Sequence, residues 1–241
     1  MKIAIIPARG RSKRIKKKNI KIFRGRPIIE WIFEIVKSSN LFDYIIVSTD
    51  NDEIKKIAKK NNILVPFKRP SYLCDDYSGT GPVMSHAVSW LEKKGIVSNE
   101  ICCIYPTAVT LHKNDLIKSY KEFSKKKYNY LFSATEYAHP IQGAFYFNKK
   151  NKIKRFDCGH YKGEFKSGKF LERRSQDVIK SYHDAGQFYW GTFQAWKKNQ
   201  NIYKEKSSIY IIPNYRVVDI NYENDWKRAE LVFDILRKNK K

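Results

Sequence analysis

The segment Ile6-Pro7-Ala8-Arg9-Gly10-Arg11-Ser12-Lys13-Arg14, followed by Lys18 and Asn19, crowds cations, a hydroxyl and an amide directly behind an apolar run. Gly10 has no Cβ, so other groups can approach its backbone closely. Ala8 and Gly10 offer backbone N–H groups, Ser12 and Asn19 offer neutral donors, and Arg9, Lys13 and Lys18 add positive charge. A polyphosphate needs that density of donors, and the charge that develops when it reacts needs the cations. The loop is not a Walker A motif, since no G-x-x-x-x-G-K-[ST] occurs in the chain. No G-x-G-x-x-G follows the apolar run either, which argues against a dinucleotide site.

The elements that must hold this loop are legible in the hydrophobic pattern. Lys2–Pro7 reads as a buried strand, and Tyr44–Thr49 as a second. Pro27–Ser39 reads as a helix with Ile28, Trp31, Ile32 and Ile35 on one face. Asp50 is placed to cap a helix over Asp52–Asn61. Ile63–Val65 reads as a short strand, Arg69–Asp76 as a loop, Gly79–Lys94 as a helix, Glu100–Tyr105 as a strand, Asn114–Lys127 as a helix and Tyr130–Thr135 as a strand. Such β-loop-α alternation predicts a mostly parallel sheet with helices on both faces. Ligands then bind beyond the carboxyl ends of the strands, so the loops after Pro7, Thr49 and Tyr105 share one edge.

From Ala138 to Ser181 glycines interrupt short aromatic and charged runs, which reads as β-ribbon inserted into the α/β core. Gly186–Gly191, Ile209–Pro213 and Arg216–Ile220 read as strands, and Glu223–Arg237 as a closing amphipathic helix. One domain over residues 1–241, with an insertion at about 138–185, accounts for the whole pattern.

The 241 residues are 42% hydrophobic, enough for one large core. No apolar run reaches the roughly 20 residues that span a bilayer. The apolar start ends at Arg9, too early for a signal peptide, so the expected location is the cytoplasm. Cys74, Cys102, Cys103 and Cys158 form no C-x-x-C pair and imply neither a zinc site nor a disulfide framework. A formal charge of +24 with 15% aromatics raises nucleic-acid binding as an alternative. Its lysines are dispersed along the chain as solvated helix faces would be, Lys16 and Lys17 among them, so no nucleic-acid or membrane partner is expected.

The loop string resembles the signature A-R-x-x-S-K-x-x-x-x-K-N of the acylneuraminate cytidylyltransferases, with Arg9, Ser12, Lys13, Lys18 and Asn19 in register. The resemblance continues through Ile46–Asp50, through Arg69-Pro70, Leu73, Asp76 and Thr80, and through Val218–Ile220, Asp225 and Ala229-Glu230. His183–Gly191 and Cys102–Ala108 resemble the pseudaminic acid branch, in which Tyr105 stands where sialic and octulosonic acid branches usually carry a Gln.

This resemblance implies an α/β nucleotide-diphospho-sugar transferase fold, a Rossmann-like three-layer sandwich with a mostly parallel sheet and a β-rich dimerisation arm. It implies transfer of CMP from CTP to the anomeric hydroxyl of a nonulosonic acid, pseudaminic acid before N-acetylneuraminic acid, with pyrophosphate released by a homodimer. Arg9 and Lys18 are expected to neutralise the triphosphate, with Lys13, Ser12, Asn19, Ala8 and Gly10 around it. Arg69, Asp76 and Thr80 are expected on the cytidine and ribose side. Tyr105, Arg173 (or Arg174), His183, Gln187 and Tyr189 are candidates for the sugar acid, Gln187 and Tyr189 facing the cleft together. The family places an Asp-x-Asp at the end of a late strand to hold Mg²⁺. Here the string is Asp219-Ile220-Asn221, so Asp219 and Asn221 are the expected metal residues, with Asp225 a weaker candidate. Because Asn221 brings no charge, a chain that binds CTP without turnover is a further alternative.

Overall fold

The computed structural model describes residues 1–141, 144–148, 150, 152–155, 179–204 and 206–238. Strand β1 (Lys2–Pro7) is built from Ile3, Ala4, Ile5 and Ile6, all fully buried. After the basic loop come a small hairpin of β2 (Ile22–Phe23) and β3 (Arg26–Pro27) and the helix α1 (Ile28–Ser38). The chain continues with β4 (Tyr44–Ser48), α2 (Asp52–Lys60), α3 (Thr80–Lys93), β5 (Glu100–Ile104), α4 (Lys113–Lys125) and β6 (Tyr130–Glu136). A hairpin of β7 (Phe145–Phe147) and β8 (Ile153–Arg155) precedes β9 (Tyr182–Gly191), α5 (Phe193–Lys197), β10 (Ser207–Ile211) and α6 (Glu223–Lys238).

The main sheet has the order β10-β6-β9-β5-β1-β4. Only β9 runs against the others, so the mostly parallel sheet expected from the sequence is present. Alternation along β1 sends Ala4 and Ile6 to one face and Ile3 and Ile5 to the other. On the first face they meet α1, α2, α4 and α6 through Ile32, Ile54, Leu116 and Phe233. On the second they meet α3 and α5 through Met84, Val88 and Trp196. Helices thus cover both faces of the sheet, which is the three-layer sandwich. The adjacent Cys102 and Cys103 divide between the two cores, and with Cys74 they are free thiols; burial pushes both strand thiols up. Cys158 lies outside the described residues.

Several elements differ from the sequence reading. Asn51, not Asp50, caps α2: its side chain accepts the Ile54 N–H at 2.9 Å, and Asp50 is used elsewhere. Pro27 precedes α1 in extended conformation. Ile63–Val65 contributes only a single parallel bridge, Leu64 to Ile46, at the sheet edge. Arg216–Ile220 is not a strand. Its chain enters through a 3-10 turn at Asn214–Arg216, and the Arg216 guanidinium forms a buried bidentate pair with Asp115 at 2.8 and 3.0 Å. Val217, Val218 and Ile220 are buried by packing without ladder hydrogen bonds, so apolar content alone misled the strand reading. Breaking such a buried pair from one side costs about 3–5 kcal/mol, so Arg216 anchors the segment that carries Asp219. Of the insertion, β7 and β8 are described, and residues 156–178, Arg173 and Arg174 among them, lie outside the described residues.

Candidate active site

The loops after β1, β4 and β5 leave the same sheet edge because those strands are parallel. The β1 loop is fastened there by its own backbone. Ala8 N–H donates to the Ser48 carbonyl at 2.9 Å, and Gly10 N–H donates to Asp50 Oδ1 at 2.8 Å. Gly10 is required by contact: a Cβ there would lie 2.7 Å from the Cβ of Asn51. The fully buried Ile15 anchors the far side of the loop. Lys17 then adopts a left-handed φ of 52° and starts a 3-10 turn over Lys18–Ile20 that directs Lys18 inward.

Lys18 crosses the site to the end of the chain. Its Nζ donates to the Ile220 carbonyl at 2.6 Å, between Asp219 and Asn221. Burial pushes the ammonium down from its ordinary range, the Asp219 carboxylate opposes this, and Arg14 and Arg9 push it further down. Asn221 donates its amide nitrogen to Asp219 Oδ2 at 2.6 Å, so the two side chains lie together although the segment is not a strand. Asp225, in the first turn of α6, accepts the N–H groups of Asn221 and Tyr222 at 2.9 and 2.7 Å and so ties the helix start to the segment before it.

The same loop borders a cleft of about 540 Å³ lined by Gly10, Ser12, Lys13, Asp75, Asp76 and Tyr77, and neither Lys18 nor Asp219 is part of that lining. Lys16 and Lys17 also border it, although both read as surface lysines from sequence; Lys17 pairs with Glu53 at 2.7 Å. Asp76 bridges Lys13 at 2.6 Å and Arg9 at 3.1 Å, and these cations hold its carboxyl below the usual range. Arg9 also donates to the Asp75 carbonyl.

Some expected ligand residues are turned to other partners here. Asn19, almost fully buried, donates its Nδ2 to the Arg9 carbonyl at 2.9 Å and so shapes the loop from behind. Arg69 is 4% exposed, and its guanidinium donates to the hydroxyl and carbonyl of Ser48, fixing the end of β4. Gln187 and Tyr189 do not share a face as their spacing suggested. A register shift between Phe132 and Ala134 interrupts the alternation, with Ser133 Oγ accepting from both Gln187 and Phe188. Gln187 turns to Thr110 and the Arg216 carbonyl, whereas Tyr189 packs on Tyr105 and Phe132. His183 is exposed against Tyr137, with its Nδ1 2.9 Å from the Asp184 carbonyl.

One residue escaped the sequence reading. Asp184 accepts from Tyr189 Oη at 2.7 Å and from Gly186 N at 2.7 Å, and burial pushes its carboxyl up. The Tyr189 ring packs on the Tyr105 ring with centroids 5.2 Å apart, and Tyr105 Oη lies 2.6 Å from Thr80 Oγ1. Burial pushes the Tyr105 phenol up to about 12, so it stays a donor near neutral pH. The signal was present in His183-Asp184-Ala185-Gly186, where an Asp two residues before a Gly can close on its backbone.

Asp219 carries hard oxygen on an exposed segment beside Lys18, which suits Mg²⁺ held by one carboxylate together with phosphate oxygens. Among the described residues, no three His, Cys, Asp or Glu side chains gather as an all-protein metal cage. No helix among them is long and apolar enough to cross a membrane.

The chain is 40% identical over 233 residues to a pseudaminic acid cytidylyltransferase of Campylobacter jejuni serotype O:23/36, covering 97% of this chain and 96% of that protein. It is 28% identical to N-acylneuraminate cytidylyltransferase A of Danio rerio, over 94% of this chain and 49% of that one. A solved CMP:2-keto-3-deoxy-manno-octonic acid synthetase complexed with CTP superposes with a TM-score of 0.68 at 10% identity, covering 98% of this chain and all of that one, which shows a shared fold. The Cytidylyltransferase family signature matches residues 3–229, nearly end to end, and the chain belongs to that family.

Proposed function

We propose that this protein transfers CMP from CTP to the anomeric hydroxyl of pseudaminic acid, giving CMP-pseudaminic acid and pyrophosphate. The observation that carries the reading is the meeting of Lys18 with the Asp219–Asn221 segment at the mouth of the basic loop. The 40% identical relative names the sugar acid.

In the reaction the 2-hydroxyl oxygen bonds to the α-phosphorus, the bond from that phosphorus to the β-phosphate bridge breaks, and the hydroxyl proton passes to solvent. Pyrophosphate leaves opposite the attacking oxygen, so most of the catalysis is positioning and charge stabilisation. Arg9 and Lys13 exchange Asp76 for the polyphosphate, Gly10 and Ser12 donate to it, and Ala8 holds the loop to β4. Lys18, half-buried and fixed by Ile220, stabilises the charge that moves onto the leaving group. Thr80 and Tyr105 close the nucleoside side. His183, exposed beside the site, is the candidate contact for the sugar acid.

Asp219, braced by Asn221, would hold Mg²⁺ with the phosphates, and the ion would add positive charge where the leaving group develops negative charge. The same reading makes the protein a cytoplasmic homodimer joined through the insertion, with Arg173 of that arm taking the sugar carboxylate bidentately. It assigns no nucleic-acid or membrane partner.

The test is pyrophosphate release from CTP and Mg²⁺ with a panel of nonulosonic acids. Release with pseudaminic acid at least about tenfold faster than with N-acetylneuraminic acid supports the reading. Release with the latter alone reassigns the substrate, and silence with every sugar acid from a folded protein ends the proposal.

A further inference from the structure

We propose that Asp184 is a positioning residue for Asp219, acting through Gly186, and that its bond to Tyr189, which packs on Tyr105, fixes it from the nucleoside side. The inference rests on the CMP-transfer reading and adds to it a residue that touches no reacting atom.

Asp184 grips its own strand. Its Oδ1 takes the N–H of Gly186 at 2.7 Å, and Gly186 sits at a left-handed φ of 61° that strains any other residue. The bare Cα surface produced there faces Asp219: a Cβ on Gly186 would lie 3.5 Å from the carboxyl carbon of Asp219. The Gly186 backbone is therefore the near neighbour of the Asp219 carboxyl, at the distance a single methyl group would fill. Asp219 is itself exposed, and its segment has no ladder hydrogen bonds, so the Asn221 amide and the placing of the Gly186 turn limit its direction.

The second oxygen of Asp184 ties the Gly186 turn to the other end of the site. Oδ2 accepts from the buried Tyr189 hydroxyl at 2.7 Å, the Tyr189 ring packs on the Tyr105 ring at 5.2 Å, and Tyr105 lies 2.6 Å from Thr80 Oγ1 at the start of α3. The two ends that must align for in-line attack thus share one buried brace between β5 and β9.

The experiment compares wild type with Asp184→Asn, Tyr189→Phe and the double variant. Two readouts are taken: steady-state pyrophosphate release, and Mn²⁺ affinity in the presence of CTP, followed by the EPR signal of the free ion. A displacement of Asp219 by a fraction of an ångström to one ångström is expected to lower kcat by about 30- to 100-fold in Asp184→Asn. KM for CTP and for the sugar acid should stay within about threefold. Mn²⁺ affinity should weaken, and Tyr189→Phe should lose about fivefold in kcat. The double variant should be no worse than Asp184→Asn, because both substitutions break the one Asp184–Tyr189 contact.

A kcat within twofold of wild type, a loss confined to the KM for the sugar acid, or additive losses in the double variant would each overturn the proposal. If Asp184→Asn does not fold, as judged by its thermal transition, Tyr189→Phe carries the test, and an unchanged kcat overturns it. If wild type itself releases no pyrophosphate, the CMP-transfer reading fails, while the Mn²⁺ comparison still decides whether Asp184 positions Asp219.

Discussion

Two lysines of one loop, five residues apart, live in different physical worlds. Lys13 is largely exposed and pairs with the exposed Asp76. Lys18 is half-buried, pays for desolvation, and is fixed on a backbone carbonyl 202 residues away in sequence. An exposed ion pair is screened by water and exchanges partners readily. A half-buried ammonium held in one place is organised in advance and acts on developing charge without rearranging. The difference separates capture of a polyphosphate, which suits the Lys13 side, from stabilisation of its departure, which suits the Lys18 side.

The largest effect should come from the half-buried side. Lys18→Met is expected to lower kcat by about 10²- to 10³-fold with little change in KM for CTP, measured by pyrophosphate release. Equal losses from Lys13→Met would erase the distinction. Asp219→Ala should follow at about 10²-fold in kcat, and added Mg²⁺ should recover only part of it.

Arg9→Ala is expected to sit between the two sides. It removes a charged donor and should cost about 10- to 100-fold in kcat/KM for CTP. Asp76→Asn sharpens the comparison by its sign. If Asp76 competes for the same cations, KM for CTP should fall, by up to about fivefold. A rise in KM would return Asp76 to the ribose contact expected from sequence. Asn221→Asp should change kcat by no more than about twofold, since the amide already braces Asp219. A large gain would mark the natural chain as impaired in turnover.

The alternation of apolar strands and amphipathic helices made most of the sheet legible, because burial on both faces writes continuous apolar runs such as Ile3–Ile6. Arg216–Ile220 was misread for the same reason: apolar content reports burial, and burial here comes from packing without a ladder. The cap of α2 was misplaced by one residue because Asp50 and Asn51 are both good caps, and only the position of Gly10 shows which one is already engaged. Asn19 and Arg69 carry the right chemistry for a ligand, yet hydrogen bonds to Arg9 and Ser48 turn them inward.

By itself the chain of residue types determined the α/β class, the cationic loop at the end of the first strand and the kinship with cytidylyltransferases. These depend on local periodicity and on contiguous motifs, which are properties of neighbours in sequence. Only the tertiary structure decided that Lys18 reaches the Asp219–Asn221 segment, that Gln187 and Tyr189 part at a register shift, and that Asp184 binds both Gly186 and Tyr189. Those facts depend on which distant groups become neighbours, and a hydrogen bond has no direction until both its partners have been placed in space.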